Sequence, residues 1–380
     1  MARSFLKSFV ATTALSIAVT LSALAAAPTL DRKTPIEIKE GKGCFSANLT
    51  AGTLQACDVT LTQGPNTRIT ADHAAAKDLA DDNNGEWELT DKVHIVFDDA
   101  VLDADSATVT FANDRLQKIH VKGTPSRFSH QIKDSARRNQ GRAATIDYDA
   151  RTDLLRLSGN TWYSNGSNNV EVETAAYSYN LNDSSISDTD QVKATIDRKT
   201  PIEIKEGKGC FGANLTAGTL TACDVTLTQG PNTRITAEHA AAKGLADDNN
   251  GEWKLTGKVH VEFDNAILDA DSATAIFADD RLQKIHVKGT PSRFSHQLKD
   301  SARRNHGRAA TIDYDAQTAL LRLSGDTWYS NDSNNVEVKT PAYTYNLNDS
   351  IVSASDQVNV NIQPNKRVPP PRTPDRATSQ

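Results

Sequence analysis

The chain has 380 residues, 38% of them hydrophobic, and carries 42 Lys and Arg against 48 Asp and Glu, for a formal charge of −6. That apolar content can bury a sizeable core. The charge is spread along the chain, which excludes the clustered basic face that nucleic-acid binding needs.

Residues 1–27 read as a cleaved signal peptide. Arg3 and Lys7 form a positive start, residues 9–24 are apolar or small, and Ala23-Leu24-Ala25 offers a small-residue cleavage site. No later segment has the consecutive apolar length of a membrane-spanning helix. The expected destination is therefore an oxidising compartment outside the cytoplasm. There Cys44 and Cys57, and likewise Cys210 and Cys223, are expected to pair as disulfides, because even numbers of cysteines at repeated spacings do so. Zinc is the alternative for these cysteines, but C-x12-C without paired histidines fits no zinc spacing.

A duplication organises the remainder. Residues 31–45 (DRKTPIEIKEGKGCF) recur unchanged at 197–211, and RLQKIHVKGTPSRFSHQ at Arg115 recurs at Arg281. A repeat this long is a whole domain. The expected organisation is a first domain at 28–194, a second at 195–364, and a Pro-rich, disordered tail at 365–380. Within each repeat, strand signals dominate. Residues 92–97 (KVHIVF) are β-branched and aromatic, and residues 170–172 alternate. Clusters such as Gly64-Pro65-Asn66 mark turns. Residues 71–80 are rich in Ala, and they are predicted to be a strand with a small-residue face rather than a helix. Three similar hairpins per domain imply stacked rungs of antiparallel strands; if each domain stacks about seven strand layers, one repeat spans roughly 34 Å. The joint, residues 191–196 (QVKATI), alternates and holds no flexible linker, so the last strand of one domain should lead directly into the next.

Other constellations carry less. The histidines His73, His94, His120 and His130, with copies His239, His260, His286 and His296, lack close spacing and read as surface residues. The acidic run at 98–105 lacks the Gly and terminal Glu of a calcium loop. No metal or other cofactor is expected. Lys133, Arg137, Arg138 and Arg142, with copies Lys299, Arg303, Arg304 and Arg308, read as an exposed loop, though Arg also suits phosphate. There is no G-x-S-x-G or S-x-x-K, so no enzyme is expected.

Several segments carry a family resemblance in order. They are Pro35-Ile36-Glu37-Ile38; Val59-Thr60-Leu61-Thr62-Gln63-Gly64 with Ile69-Thr70-Ala71-Asp72; residues 122–128 (KGTPSRF); and Gly141-Arg142-Ala143 through Tyr148 with Leu157-Ser158-Gly159-Asn160. Together they resemble the LptA/OstA-like family of periplasmic lipopolysaccharide-export proteins. The chain departs from the family's single-domain pattern by its duplication and its cysteine pairs. The resemblance implies an all-β fold of two tandem antiparallel β-jellyroll domains, each a slightly open folded sheet, stacked head to tail. It implies a periplasmic bridge that shields the lipid A acyl chains of lipopolysaccharide in an apolar trough. The implied partners are inner-membrane LptC-like and outer-membrane LptD-like jellyroll domains, with head-to-tail self-association. Carried over by residue, the lipid-facing candidates are Ile36, Phe128 and Tyr148, with copies Ile202, Phe294 and Tyr314. The competing expectation is a structural or adhesive tandem-β protein with no lipid cargo.

Overall fold

A computed structural model describes residues 36–39, 44–48, 50–79, 84–113, 115–133, 137–166, 170–188, 191–196, 202–205, 210–214, 216–245, 250–278, 281–298, 303–331, 336–355 and 357–362. The segment 1–27 expected to be a signal peptide, the tail expected at 365–380 and Lys299 lie outside the described residues. Every regular element described is a β-strand.

The first repeat runs β1 (Ile36–Lys39), β2 (Ser46–Asn48), β3 (Thr53–Gln63), β4 (Thr67–Lys77), β5 (Asn84–Phe97), β6 (Ala100–Ala112), β7 (Arg115–Gln131), β8 (Arg138–Asp149), β9 (Leu154–Asn165), β10 (Val170–Asn180), β11 (Ser185–Asp188) and β12 (Lys193–Ile196). The second runs β13 (Ile202–Lys205), β14 (Phe211–Asn214), β15 (Thr219–Gln229), β16 (Thr233–Lys243), β17 (Asn250–Phe263), β18 (Ala266–Ala278), β19 (Arg281–Gln297), β20 (Arg304–Asp315), β21 (Leu320–Asn331), β22 (Val336–Asn346), β23 (Val352–Ser353) and β24 (Asn359–Ile362). The Ala-rich stretch is strand β4, whose burial alternates. A period of two places Ile69, Ala71, Ala74 and Ala76 on the inner face.

Consecutive long strands pair antiparallel from β3 to β10, and nearly every one breaks register near its middle. The slips fall between Thr70 and His73, Thr90 and Val93, Lys122 and Ser126, Arg142 and Thr145, and Thr174 and Ala176. Bulges bend a strand and raise its twist, so an aligned row of them creases the sheet into two layers. Layer A holds the halves around residues 67–70, 93–97, 126–131, 138–143 and 161–165. Layer B holds those around 73–77, 84–90, 115–122, 145–149 and 154–158. The crease needs left-handed backbone, and Asp91 supplies it at φ 65°; the second repeat has Gly257 at that place, at φ 78°. This is the tandem β-jellyroll that the sequence suggests.

The repeats join through a split rung. In layer A, β10 pairs with β12, β12 with β13, and β13 with β15. In layer B, β10 pairs with β11, β11 with β14, and β14 with β15. One sheet therefore runs through both repeats, with β12 paired to β13 at the joint. The expected seven layers per repeat fall short. From β3 to β15 there are ten strand steps through layer A, about 48 Å at ~4.8 Å per step. Cys44–Cys57 and Cys210–Cys223 are both disulfides. Each links the start of a short strand (β2 or β14) to the crease of the long strand beside it.

Candidate functional site

The two layers enclose one continuous buried interior. Its character changes along the sheet. Around β3–β6 the inner face of layer B mixes Ala56, Ala74, Ala76 and Ala107 with Leu54, Leu89, Val109 and the two rings of Trp87 and Phe111. Around β7–β10 the interior is aromatic. There Phe97 and Tyr148 meet across it at 4.4 Å between ring centres, Phe128 and Tyr179 at 5.1 Å, and Tyr163 and Tyr179 at 5.8 Å. The second repeat reproduces the first two contacts as Phe263–Tyr314 at 4.3 Å and Phe294–Tyr345 at 5.1 Å. Gly141 makes room for this stack. It lies directly opposite Phe128, and a Cβ there would come within 2.1 Å of the Phe128 ring and 2.4 Å of the Tyr177 hydroxyl.

Strand ends remote from the crease form two rims, and polar groups tie them together. The Leu116 N–H on layer B donates to Gln63 Oε1 on layer A at 3.2 Å. Tyr179 Oη on layer B accepts from Asn139 Nδ2 at 2.7 Å and lies 2.8 Å from His130 Nδ1. The imidazole tautomer decides which of His130 Nδ1 and the phenol donates in that contact. Burial favours the neutral imidazole and lowers the His130 pKa, against a weaker upward pull from Asp99. The same latch recurs at His296, Asn305 and Tyr345, with distances of 2.7 and 2.6 Å and a His296 pKa also lowered by burial. Tyr148 donates to Asp153 at 3.0 Å, whereas the second repeat has Ala319 in place of Asp153. Burial pushes the Tyr148 phenol up, and that of Tyr314 up to about 12.

The six candidates named from the sequence all lie on this inner surface. Phe128, Tyr148, Ile202, Phe294 and Tyr314 are buried, and Ile36 is half-buried at the free end of the sheet. Other expectations need correction. His130 and His296 are buried latch residues rather than surface ones, because they face inward on strands whose alternation the sequence left unassigned. His94 is exposed and His120 half-buried, and they pair with Asp103 and Asp147, each at 2.6 Å. Arg138 and Arg142 belong to β8 rather than to a loop, and the Arg142 guanidinium lies 5.1 Å over the Trp162 ring. His73 Nδ1 sits 3.3 Å from Cys57 Sγ, so Cys44, Cys57 and His73 converge, as do Cys210, Cys223 and His239. Joined as disulfides, these sulfurs offer no thiolate to a metal. Sequence reasoning passed over Trp87 and Trp253; their signal was four tryptophans in two pairs at the repeat offset in a chain only 6% aromatic.

At the ends of the chain the split rung is incomplete. Among the described residues, β1 and β2 each pair on one side only, with β3, and β24 and β23 likewise pair only with β22. The cost in exposed apolar surface is direct. Ile38 is 39% exposed where its internal equivalent Ile204 is 0%, and Phe45 is 55% exposed where Phe211 is 3%. Val360 is 52% exposed where Ala194 is 0%.

Comparison with known proteins places both repeats in one family. The family model described as LptA/(LptD N-terminal domain) LPS transport protein matches residues 68–182 and again 234–349. No curated protein matches the chain. Among solved structures, this chain is similar to the crystal structure of LptH, the LptA homologous periplasmic component of the lipopolysaccharide transport device from Pseudomonas aeruginosa. The identity is 17% and the TM-score 0.30, covering 35% of this chain and 95% of that one.

Proposed function

This chain belongs to the LptA/LptD N-terminal domain family of LPS transport proteins, and from that premise we propose that it is a periplasmic bridge carrying lipopolysaccharide between the two membranes. Acyl chains lie between the layers, against Ile36, Phe128, Tyr148 and their copies, and reach that space by parting the latched rims. Each methylene moved from water to this apolar space contributes about 0.8 kcal/mol, so a few acyl chains outweigh the rim hydrogen bonds they displace. Domains 28–194 and 195–364 act as two successive segments of one path. A cleaved signal at 1–27 delivers the chain to the periplasm.

The observation that carries this reading is the contrast between the internal junction and the chain ends. The same short strands that are buried where repeat meets repeat are exposed at both termini. An uncovered strand edge with apolar side chains is a template for another strand. Here the template fits other jellyroll edges: LptC-like at one membrane, LptD-like at the other, and further copies of this chain between. A second reading, a tandem-β structural or adhesive protein without cargo, draws support from the ring contacts that cross the interior. Photo-reactive residues placed at Phe128 and Phe294 in cells separate the two. Lipopolysaccharide adducts at both positions are expected; a folded protein with adducts at neither would sink the transport reading.

A further inference from the structure

The interior around β5 and its copy β17 holds two buried donors to which the transport reading gives no role. Trp87 is 1% exposed and Trp253 is 0%, and the indole Nε1–H of each has no hydrogen-bond partner among the described residues. A buried N–H without an acceptor forfeits its hydration with nothing in return, and here it happens twice at equivalent places. The strand neighbours directly opposite each indole are small or β-branched. Trp87 stands directly opposite Ala76 and Val109, and Trp253 opposite Ala242 and Ala275. On the same face, two residues earlier, are Gly85 and Gly251. An added Cβ there would lie 3.8 and 3.7 Å from the respective Nε1 atoms, and 3.2 Å from Leu79 Cδ2 or 3.4 Å from Leu245 Cδ2. The N–H edge of each indole therefore lies beside glycine backbone over which a leucine side chain also packs.

We propose that Trp87 and Trp253 are specificity-determining anchors that donate to an acceptor oxygen, an ester or keto carbonyl, borne on the acyl chain of the guest. The inference rests on the transport reading and sharpens it: the interior distinguishes an oxygenated chain from a plain one of equal length. The mechanism is local. A carbonyl that enters with its chain already desolvated finds a fixed donor at the wall, whereas a plain chain leaves the indole unpaired.

The test uses the full chain with two probes, a mid-chain keto fatty acid and the unsubstituted acid of the same length. In Trp87→Phe with Trp253→Phe, the affinity ratio of keto to plain probe is expected to fall roughly three- to tenfold, with plain-chain affinity retained. In the wild type, the indole ¹⁵N–H resonances of Trp87 and Trp253 are expected to move with the keto probe and stay with the plain one. That second reading holds even where the variant folds poorly. An unchanged ratio, or indole resonances that respond alike to both probes, overturns the anchor while leaving transport intact. A wild type that binds neither probe overturns the transport reading and the anchor with it.

Discussion

Tyr179 and Tyr345 concentrate the consequences of burying polar side chains in an apolar fold. Each phenol joins a histidine and an asparagine across the interior, and burial favours the neutral histidine. Burial lowers the pKa of His130 and His296 below the unfolded value of about 6.5. The unfolded chain then binds more protons than the folded one on the acid side of that value. The stability contributed by neutral burial is complete above about pH 6.5 and is lost as pH falls toward the folded pKa. His260 opposes this. Burial pulls it down, but Asp269 and Glu262 together hold it up, so its contribution is present below about pH 6.5 and fades as pH rises through its folded value. The urea midpoint should therefore drop between pH 7.5 and pH 5, and His130→Gln with His296→Gln should flatten that drop. An equal drop in the variant would show that acid acts elsewhere. None of this was legible from the histidine spacing, because pairing across the interior joins residues 40 and 49 positions apart.

Among the elements, the short strands decide what the ends of the molecule do. Tetrapeptides such as IEIK carry little intrinsic strand stability, and β13 is held by neighbours on both sides while β1 has only one. Ile38 and Val360 occupy the places of residues that face inward at the internal junction. A lysine there would put a charge where a docking strand must bury apolar surface. On the free chain these positions are exposed, where substitutions usually stay within about 0.5 kcal/mol. Sedimentation of the wild type should show oligomers that lengthen with concentration. Ile38→Lys with Val360→Lys should remain monomeric at an unchanged melting temperature. Identical sedimentation of the two proteins would argue that the edges are not joining surfaces. The sequence exposes the strands themselves, β4 included, through alternation. The crease is harder to read, because a bulge depends on one extra residue relative to the neighbouring strand.

For the whole molecule, the split rung makes two repeats one sheet. Unfolding either repeat alone would strip the junction residues Ile196, Ile202 and Ile204 of their cover, so a single calorimetric transition is expected. Ala194 lies in the middle of β12, paired with Val172 on one side and Ile204 on the other. Proline there removes a ladder hydrogen bond from a strand with neighbours on both sides. Ala194→Pro should separate the transition into two, one per repeat. A single transition in the variant, shifted or not, would mean that coupling between repeats does not pass through β12.

By itself the sequence determined the all-β class, the duplication with its 166-residue offset, the disulfide pairs and the family, because each is written in local composition or in letter-by-letter repetition. It also led to the six inward-facing residues, through motifs that keep their spacing. Only the tertiary structure decided which polar groups are buried, that His130 reaches Tyr179, that Trp87 and Trp253 point an unpaired N–H into the interior, and that a pair of half-strands stitches the repeats together. The physical reason is common to all four: a creased sheet brings distant strand ends face to face, and the partners that meet there are set by register and bend rather than by any pattern along the chain.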